Sequence, residues 1–296
     1  QPLAWPEAEA VALRFVIDHA RDLTEAPPGD AARLAAEQLV APGLRRGLAC
    51  PAPATLDRRI ASWQAFHRMR NLGSPFEAPL VRQARAKARR AAARPRQPKS
   101  ARPITLPLLE ILLATCDNSL RGLRDRAILS LGFASGGRRR SEITGLRIED
   151  IGREDFAAKG VLWLRLWETK TTAKGAAPKL VLKGRPARAL MGWLLAVGAD
   201  AGPLFRPISK SGRALPRRLA PDAIRTILTH RLALAGLPAD HASPHGLRSG
   251  FLTQAALDGA PIQAAMRLSL HRSVAQAQRY YDDVEITENP AADLMG

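Results

Sequence analysis

Only two tyrosines and two cysteines occur among the 296 residues, and aromatic side chains make up 5% of the chain. Cys50 and Cys116 are too few for a disulfide framework, and their spacing fits no metal site. A reducing cytoplasm suits such a chain. No run is long and apolar enough to span a bilayer, so no membrane-spanning segment is expected. The opening QPLAWPEAEA lacks the basic-then-apolar pattern of a secretory signal. It starts on Gln1 rather than Met, which leaves open whether residues precede it. No internal repeat is visible. Acidic residues are also scarce: Asp and Glu number 27 against 45 Lys and Arg, for a net charge of +18.

That imbalance, with a pI near 11.2, makes a surface that attracts polyanions. Nucleic acid is the first partner to expect and an anionic membrane surface the second. Hydrophobic residues reach 46%, enough for a real core in one large domain or two ordinary ones. The wealth of Ala and Arg points to a GC-rich genome.

The first third of the chain has helical periodicity. Leu13, Val16, Ile17 and Ala20 recur on one face, and PPGD at 27–30 ends that helix. Residues 31–40 form a second helix, stopped by Pro42 and Gly43. Leu56, Ile60, Trp63 and His67 mark a third. SPFE at 74–77 is a capping-box pattern, and Pro79 places the main body of the next helix from Leu80. After that the apolar period dissolves into charge. Arg82, Arg85, Lys87, Arg89, Arg90, Arg94, Arg96, Lys99 and Arg102 form a basic run that reads as phosphate-contacting; a merely solvated face is the alternative. The expected organisation is a helical DNA-binding domain at 1–93, a basic linker at 94–103 and a second domain at 104–296.

The second part is mixed. TLPLLEILLATC and LRDRAILSLGFASG are helical. Residues 161–167, VLWLRLW, are strand-like, and KLVLKG at 179–184 returns as a hairpin partner. Between them lies a long basic tip with Lys170 and Lys174. Further helices follow at Pro186, at 221–234, after Ser243 as cap with Pro244 at the first position, from Pro261, and after Ser273.

Four short patterns carry chemistry. In GGRRRSEI, Arg139 and Glu142 are three apart and share a helical face, so a carboxylate can hold a guanidinium fork towards a phosphate. Taken alone, a surface ion pair on a basic turn is the better explanation. In HGLR, His245 and Arg248 are also three apart; a clamp and a titratable ring together suit a phosphodiester. Lys170 and Lys174 on the hairpin tip can reach a groove or a leaving group, or simply sit in water. Finally, both tyrosines lie in LHRSVAQAQRYYDD, nine and ten residues after His271. Helical spacing places Val274, Ala277 and Tyr281 on an apolar stripe, and Ser273, Gln276 and Tyr280 on a polar one. Tyr281 should therefore pack inward and Tyr280 face the site.

In order, Arg139, Glu142, Lys170, His245, Arg248, His271 and Tyr280 resemble the catalytic series of the tyrosine recombinases, the phage-integrase family. RRSEITGLRIEDI resembles its first box and SPHGLRSGFLTQAALDGAPIQ its second; the likeness runs from Ile104 to about Asp283. The sequence departs in three places: Leu270 stands where the family usually has Gly, the hairpin is long, and three consecutive arginines, Arg138 to Arg140, compete for one role. Glu142 selects Arg139.

The resemblance implies a fold: a mainly α core-binding domain followed by an α+β catalytic domain, mostly helical with a small antiparallel sheet, as a C-shaped clamp on DNA. It implies site-specific recombination through a 3′-phosphotyrosyl intermediate, with Tyr280 as nucleophile, Lys170 as the acid for the leaving 5′ oxygen, Arg139 and Arg248 on the phosphate, and His271 donating to it. His245 handles protons and Glu142 orients Arg139. The implied partners are double-stranded DNA carrying a recombination site and a homotetramer on two duplexes. No cofactor or metal is implied, and the chain shows no carboxylate cluster of the kind two-metal nucleases need. The expected location is the cytoplasm, at the nucleoid, in a bacterial or phage-derived system. Two rivals share these features: a type IB topoisomerase and a catalytically silent DNA-binding protein of the same fold.

Overall fold

The computed structural model describes residues 6–92, 100, 102–166, 178–271 and 273–285. Two compact units divide between Gln97 and Pro98.

The first unit contains α1 (Glu9–Ala20), α2 (Ala31–Val40), α3 (Pro53–Met69), a 3-10 turn (Pro75–Glu77) and α4 (Pro79–Ala91). Asp30 begins α2 by accepting from the amides of Ala32 and Arg33, which satisfies two of the helix's free donors. Ser74 caps the 3-10 turn, and α4 starts on Pro79 itself, one residue earlier than its sequence suggests. Ala12, Val16, Leu56, Ile60, Phe76 and Val81 form the core. The rings of Phe15, Trp63 and Phe76 meet edge to face at 5.0–5.9 Å. Ile17, on the apolar side of α1 by spacing, is 46% exposed. His67 is fully buried because its polarity is satisfied: Nε2 lies 2.9 Å from Glu7, and Nδ1 2.9 Å from the Trp63 carbonyl.

The second unit is mostly helical with one small antiparallel sheet. It runs α5 (Leu106–Ala114), α6 (Leu120–Ala134), α7 (Arg140–Gly145), β1 (Ile151–Gly152), α8 (Phe156–Lys159), β2 (Val161–Arg165), β3 (Lys179–Lys183), α9 (Arg185–Val197), α10 (Ala223–Leu234), α11 (Gly246–Leu257), α12 (Ile262–Ser269) and α13 (Val274–Glu285). The sheet order is β1-β2-β3. On β2, Leu162 and Leu164 share a face and pair across the ladder with Leu182 and Leu180. All four are buried in the main core with Ile128 and Trp193.

Helix α6 is central: Ile128 and Leu131 enter that core while Leu129 enters a second one with Leu112, Leu228 and Leu247. An element buried on several faces reads as apolar all round, as α6 does in its second half, from Ala127 to Ala134. A buried ionic group ties it to α10. Asp125, 1% exposed, accepts from Arg124 on one oxygen and from Arg231 on the other, at 2.7–3.1 Å.

Ser243 and Val274 both depart from expectation. Ser243 does not cap α11 with its side chain. The chain makes a turn at 243–246, where the Ser243 carbonyl accepts from Gly246 at 2.7 Å, and the helix begins at Gly246. On α13, Val274 is 54% exposed rather than packed, and the inward stripe is Ala277, Tyr281 and Val284. The hairpin tip with Lys170 and Lys174, and the linker residues Arg94, Arg96 and Lys99, lie outside the described residues.

Candidate active site

Four separate segments bring their polar side chains together: the α6–α7 turn, the start of α11, the turn after α12, and α13. The first of these depends on glycine. Gly136 and Gly137 have φ of 92° and 70°, and a Cβ on them would lie 2.4 Å from the Leu268 carbonyl and 2.2 Å from the Arg248 Cα. Only a chain without side chains there can lie against α11 and the α12 end this closely.

The three arginines that follow go three ways. Arg138 turns inward, 2% exposed, and donates to the Leu268 carbonyl at 2.7 Å. Its Nε is buried without a partner among the described residues. Arg139, which the sequence favoured over Arg138, stays at the edge, its side chain 37% exposed, and donates to Glu142 Oε1 at 2.7 Å. Arg140 pairs with Asp222 at the surface. Glu142 also accepts from the Arg139 amide at 3.2 Å, and its other role is towards Arg138, 3.7 Å away. One carboxylate therefore orients two guanidinium groups.

Arg248 is 7% exposed. Its Nη1 donates to the Gly137 carbonyl at 3.1 Å, while Nε lies 3.2 Å from His271 Nε2 and Nη2 lies 3.1 Å from Nδ1. Ser269 Oγ is 2.8 Å from the same Nδ1. Burial, and then the neighbouring arginines, push Arg138 and Arg248 down to about 10, which leaves both charged at neutral pH. Burial, and then Arg248, Arg138, Arg139 and His245, push His271 down to about 4, so its ring is neutral. His245 precedes the first turn of α11, half-buried, close enough to His271 to act on its charge.

The tyrosines separate as their spacing suggests. Tyr281 is 6% exposed, packs with Leu252 and Ala265, and donates to the Ala260 carbonyl at 3.0 Å. Tyr280 is half-buried against the same cluster, close enough to Arg248 for negative charge on its oxygen to act on that guanidinium. Around this point three guanidinium groups face one carboxylate. Such a surplus, partly withdrawn from water, suits a dianionic transition state.

Of the basic run on the first unit, Arg82, Lys87, Arg89 and Arg90 are exposed on α4, as is Arg102 at the start of the second unit. Arg85 is half-buried and donates to Asp57 at 2.8 Å; Arg89 approaches the same carboxylate at 3.5 Å. Those two are positioned by α3 rather than free. Sequence reasoning passed over Arg138 in favour of Arg139, and it missed Ser269 and the carbonyls of Gly137 and Leu268. The signal for Arg138 was present: it stands four residues before Glu142, a spacing that shares a helical face as well as three does.

Comparison with known proteins gives the same direction. Residues 106–285 match the model of the phage integrase family. An integrase/recombinase XerD homolog of Selenomonas ruminantium is 30% identical over 251 residues, 81% of this chain and 72% of that one. The tyrosine recombinase XerC of Rhodospirillum centenum is 34% identical over 62% of this chain, which spans about half, 52%, of that relative's length. In fold, the chain is similar to the XerH site-specific recombinase solved on its palindromic difH substrate, with a TM-score of 0.52 at 14% identity, covering 99% of each chain.

Proposed function

The chain belongs to the phage integrase family, and on that premise we propose that it is a site-specific recombinase. It cuts and rejoins duplex DNA through a 3′-phosphotyrosyl intermediate. The observation that carries this reading is the approach of Tyr280, Arg248, His271 and the Arg139–Glu142 pair, from four segments of the chain, at one positive pocket.

In this reading Arg139 and Arg248 hold the non-bridging oxygens of the scissile phosphate, and neutral His271 donates a hydrogen bond to it. Tyr280 Oη bonds to phosphorus as the bond to the 5′ oxygen breaks. The phenol proton passes towards His245, and Lys170 supplies the proton that the leaving oxygen takes. A 5′ hydroxyl from a partner duplex then attacks the phosphotyrosine and reverses the step. Glu142 keeps Arg139 in place. The exposed cations of α4 with Arg94, Arg96, Lys99, Arg102 and Lys174 hold the DNA backbone. Residues 1–93 act as the core-binding domain, 94–103 as linker and 104–296 as the catalytic domain. Two duplexes require four copies, so the working species is a tetramer, in the bacterial cytoplasm.

The experiment is covalent trapping on nicked duplexes drawn from a genomic fragment library, followed by sequencing. Detergent-resistant adducts sharing one sequence are expected. Adducts spread over all sequences, with relaxation of any supercoiled plasmid, would indicate a type IB topoisomerase instead. Binding with no adduct on any duplex would indicate a silent DNA-binding protein. Lys170→Ala should slow cleavage, and a bridging phosphorothiolate at the 5′ position should restore it, because that leaving group needs no proton.

A further inference from the structure

Ser269, the last residue of α12, is fully buried, and its hydroxyl meets Nδ1 of His271 at 2.8 Å. Leu270 between them has φ 52° and ψ 40°, the left-handed region, which folds the imidazole back over the helix end. A leucine adopts this region reluctantly, and here its side chain is held against the main core. Arg138 fixes the same turn from the other side through the Leu268 carbonyl. The ring and the hydroxyl are therefore held together by the turn itself.

Arg248 covers the imidazole, with its N–H groups 3.1–3.2 Å from the two ring nitrogens. A guanidinium can only donate, and a neutral imidazole has one N–H and one lone pair. When Nε2 accepts from Arg248 Nε, Nδ1 carries the proton and donates to Ser269 Oγ at 2.8 Å, and the 3.1 Å approach of Arg248 Nη2 to Nδ1 is then a donor facing a donor rather than a hydrogen bond. When Arg248 turns to a phosphate oxygen and His271 is to donate to that phosphate, Nε2 must carry the proton. Nδ1 then needs a donor. A hydroxyl can serve both states by rotating; a carbonyl could serve only the first and an amide N–H only the second.

We propose that Ser269 is a positioning residue whose hydroxyl reverses between accepting from and donating to Nδ1, letting His271 exchange Arg248 for a substrate phosphate as a neutral ring. One N–H bond breaks at Nδ1 and one forms at Nε2, both protons being exchanged with water, so the proton count is unchanged. His271 is half-buried, which leaves water access. Its low proton affinity, about 4, means that near neutral pH the ring changes role by changing tautomer rather than by gaining charge. The inference rests on the reading of this pocket as a phosphate site.

The test reads the tautomer directly. In protein with 15N-labelled imidazoles, the six histidines assigned with the help of His271→Asn, His271 should be the Nδ1–H form when free and the Nε2–H form in saturating inorganic phosphate. Ser269→Ala should leave a tautomer mixture under both conditions and slow cleavage of a trapped duplex about tenfold, the worth of one well-made hydrogen bond. Ser269→Thr, which keeps the hydroxyl, should restore both readouts to within about twofold. An unaltered protein whose tautomer ignores phosphate overturns the proposal. So does Ser269→Ala with normal cleavage, or Ser269→Thr as impaired as Ser269→Ala. If Ser269→Ala does not fold, the spectra of the unaltered protein decide. Failure of the recombinase reading is separate, because it appears as no adduct in the unaltered protein.

Discussion

Helix α4 and the pocket around Arg248 are both rich in arginine, and they use it in opposite ways. On α4 the cations stand in water, and where they are paired, as Arg85 and Arg89 are with Asp57, the pair is partly exposed. In the pocket Arg138 and Arg248 are 2% and 7% exposed, and their partners are main-chain carbonyls, a carboxylate and a neutral ring. Exposed charges attract DNA over a distance that salt sets, and none needs a fixed position. Buried guanidinium groups have already left water, so they hold one geometry and act at full strength on charge that develops beside them. On the proposed reading, the difference separates holding DNA from reacting with it.

The largest effect should come from breaking the buried side. Arg248→Lys keeps a positive charge but loses the fork that meets Gly137 and His271 together. Cleavage of a suicide duplex should fall roughly 100- to 1,000-fold, while affinity changes little. A lysine variant that cleaves normally would show that charge alone suffices there.

The exposed side should respond the other way. Replacing Arg82, Lys87 and Arg90 by Ala should weaken binding to all sequences alike. The salt slope should fall by roughly 0.9 for each phosphate that is no longer neutralised. Cleavage at saturating DNA should be unchanged. A slower rate at unchanged affinity would place α4 in the chemistry.

His271 sharpens the comparison through pH. Its folded value, about 4, lies below the ordinary 6.5, so the unfolded chain binds that proton more tightly. Its contribution to stability is complete above about pH 6.5 and is lost as pH falls towards about 4. Denaturant midpoints measured across that window should drop more in the unaltered protein than in His271→Gln. Equal slopes would mean that the ring is not held buried among the arginines of the pocket. The smallest effect is at Tyr281, where Tyr281→Phe removes the bond to Ala260 and should cost about 1 kcal/mol of stability, read by denaturant unfolding, with cleavage retained.

Much of this is legible in the chain, and what is not has a common cause. Helix α2 runs over 31–40 as its sequence suggests, because Asp30 and Pro42–Gly43 are local start and stop signals. The β2–β3 hairpin is legible from the alternating leucines of VLWLRLW and KLVLKG. β1 is not, since two residues gain strand character only from pairing with Leu164 and Trp163. The order of site residues is visible, and the segments carrying the described ones do converge. The pairing of Arg85 with Asp57, 28 positions away, is not visible, nor is Arg138 reaching Leu268 across 130. Val274 departs from its expected place because spacing from Tyr281 says which residues align, not where the covering helix ends. Leu270 carries the left-handed turn that a glycine would have announced.

The central claim is that the buried arginine pocket presents Tyr280, and not its neighbour, to a phosphodiester. The direct measurement is peptide mapping by mass spectrometry of the covalent adduct formed on a nicked suicide duplex, run beside Tyr280→Phe and Tyr281→Phe. The account predicts a phosphotyrosyl link at Tyr280, no adduct in Tyr280→Phe despite retained DNA affinity, and a normal adduct in Tyr281→Phe. A link mapped to Tyr281, or an adduct that survives Tyr280→Phe, would contradict it.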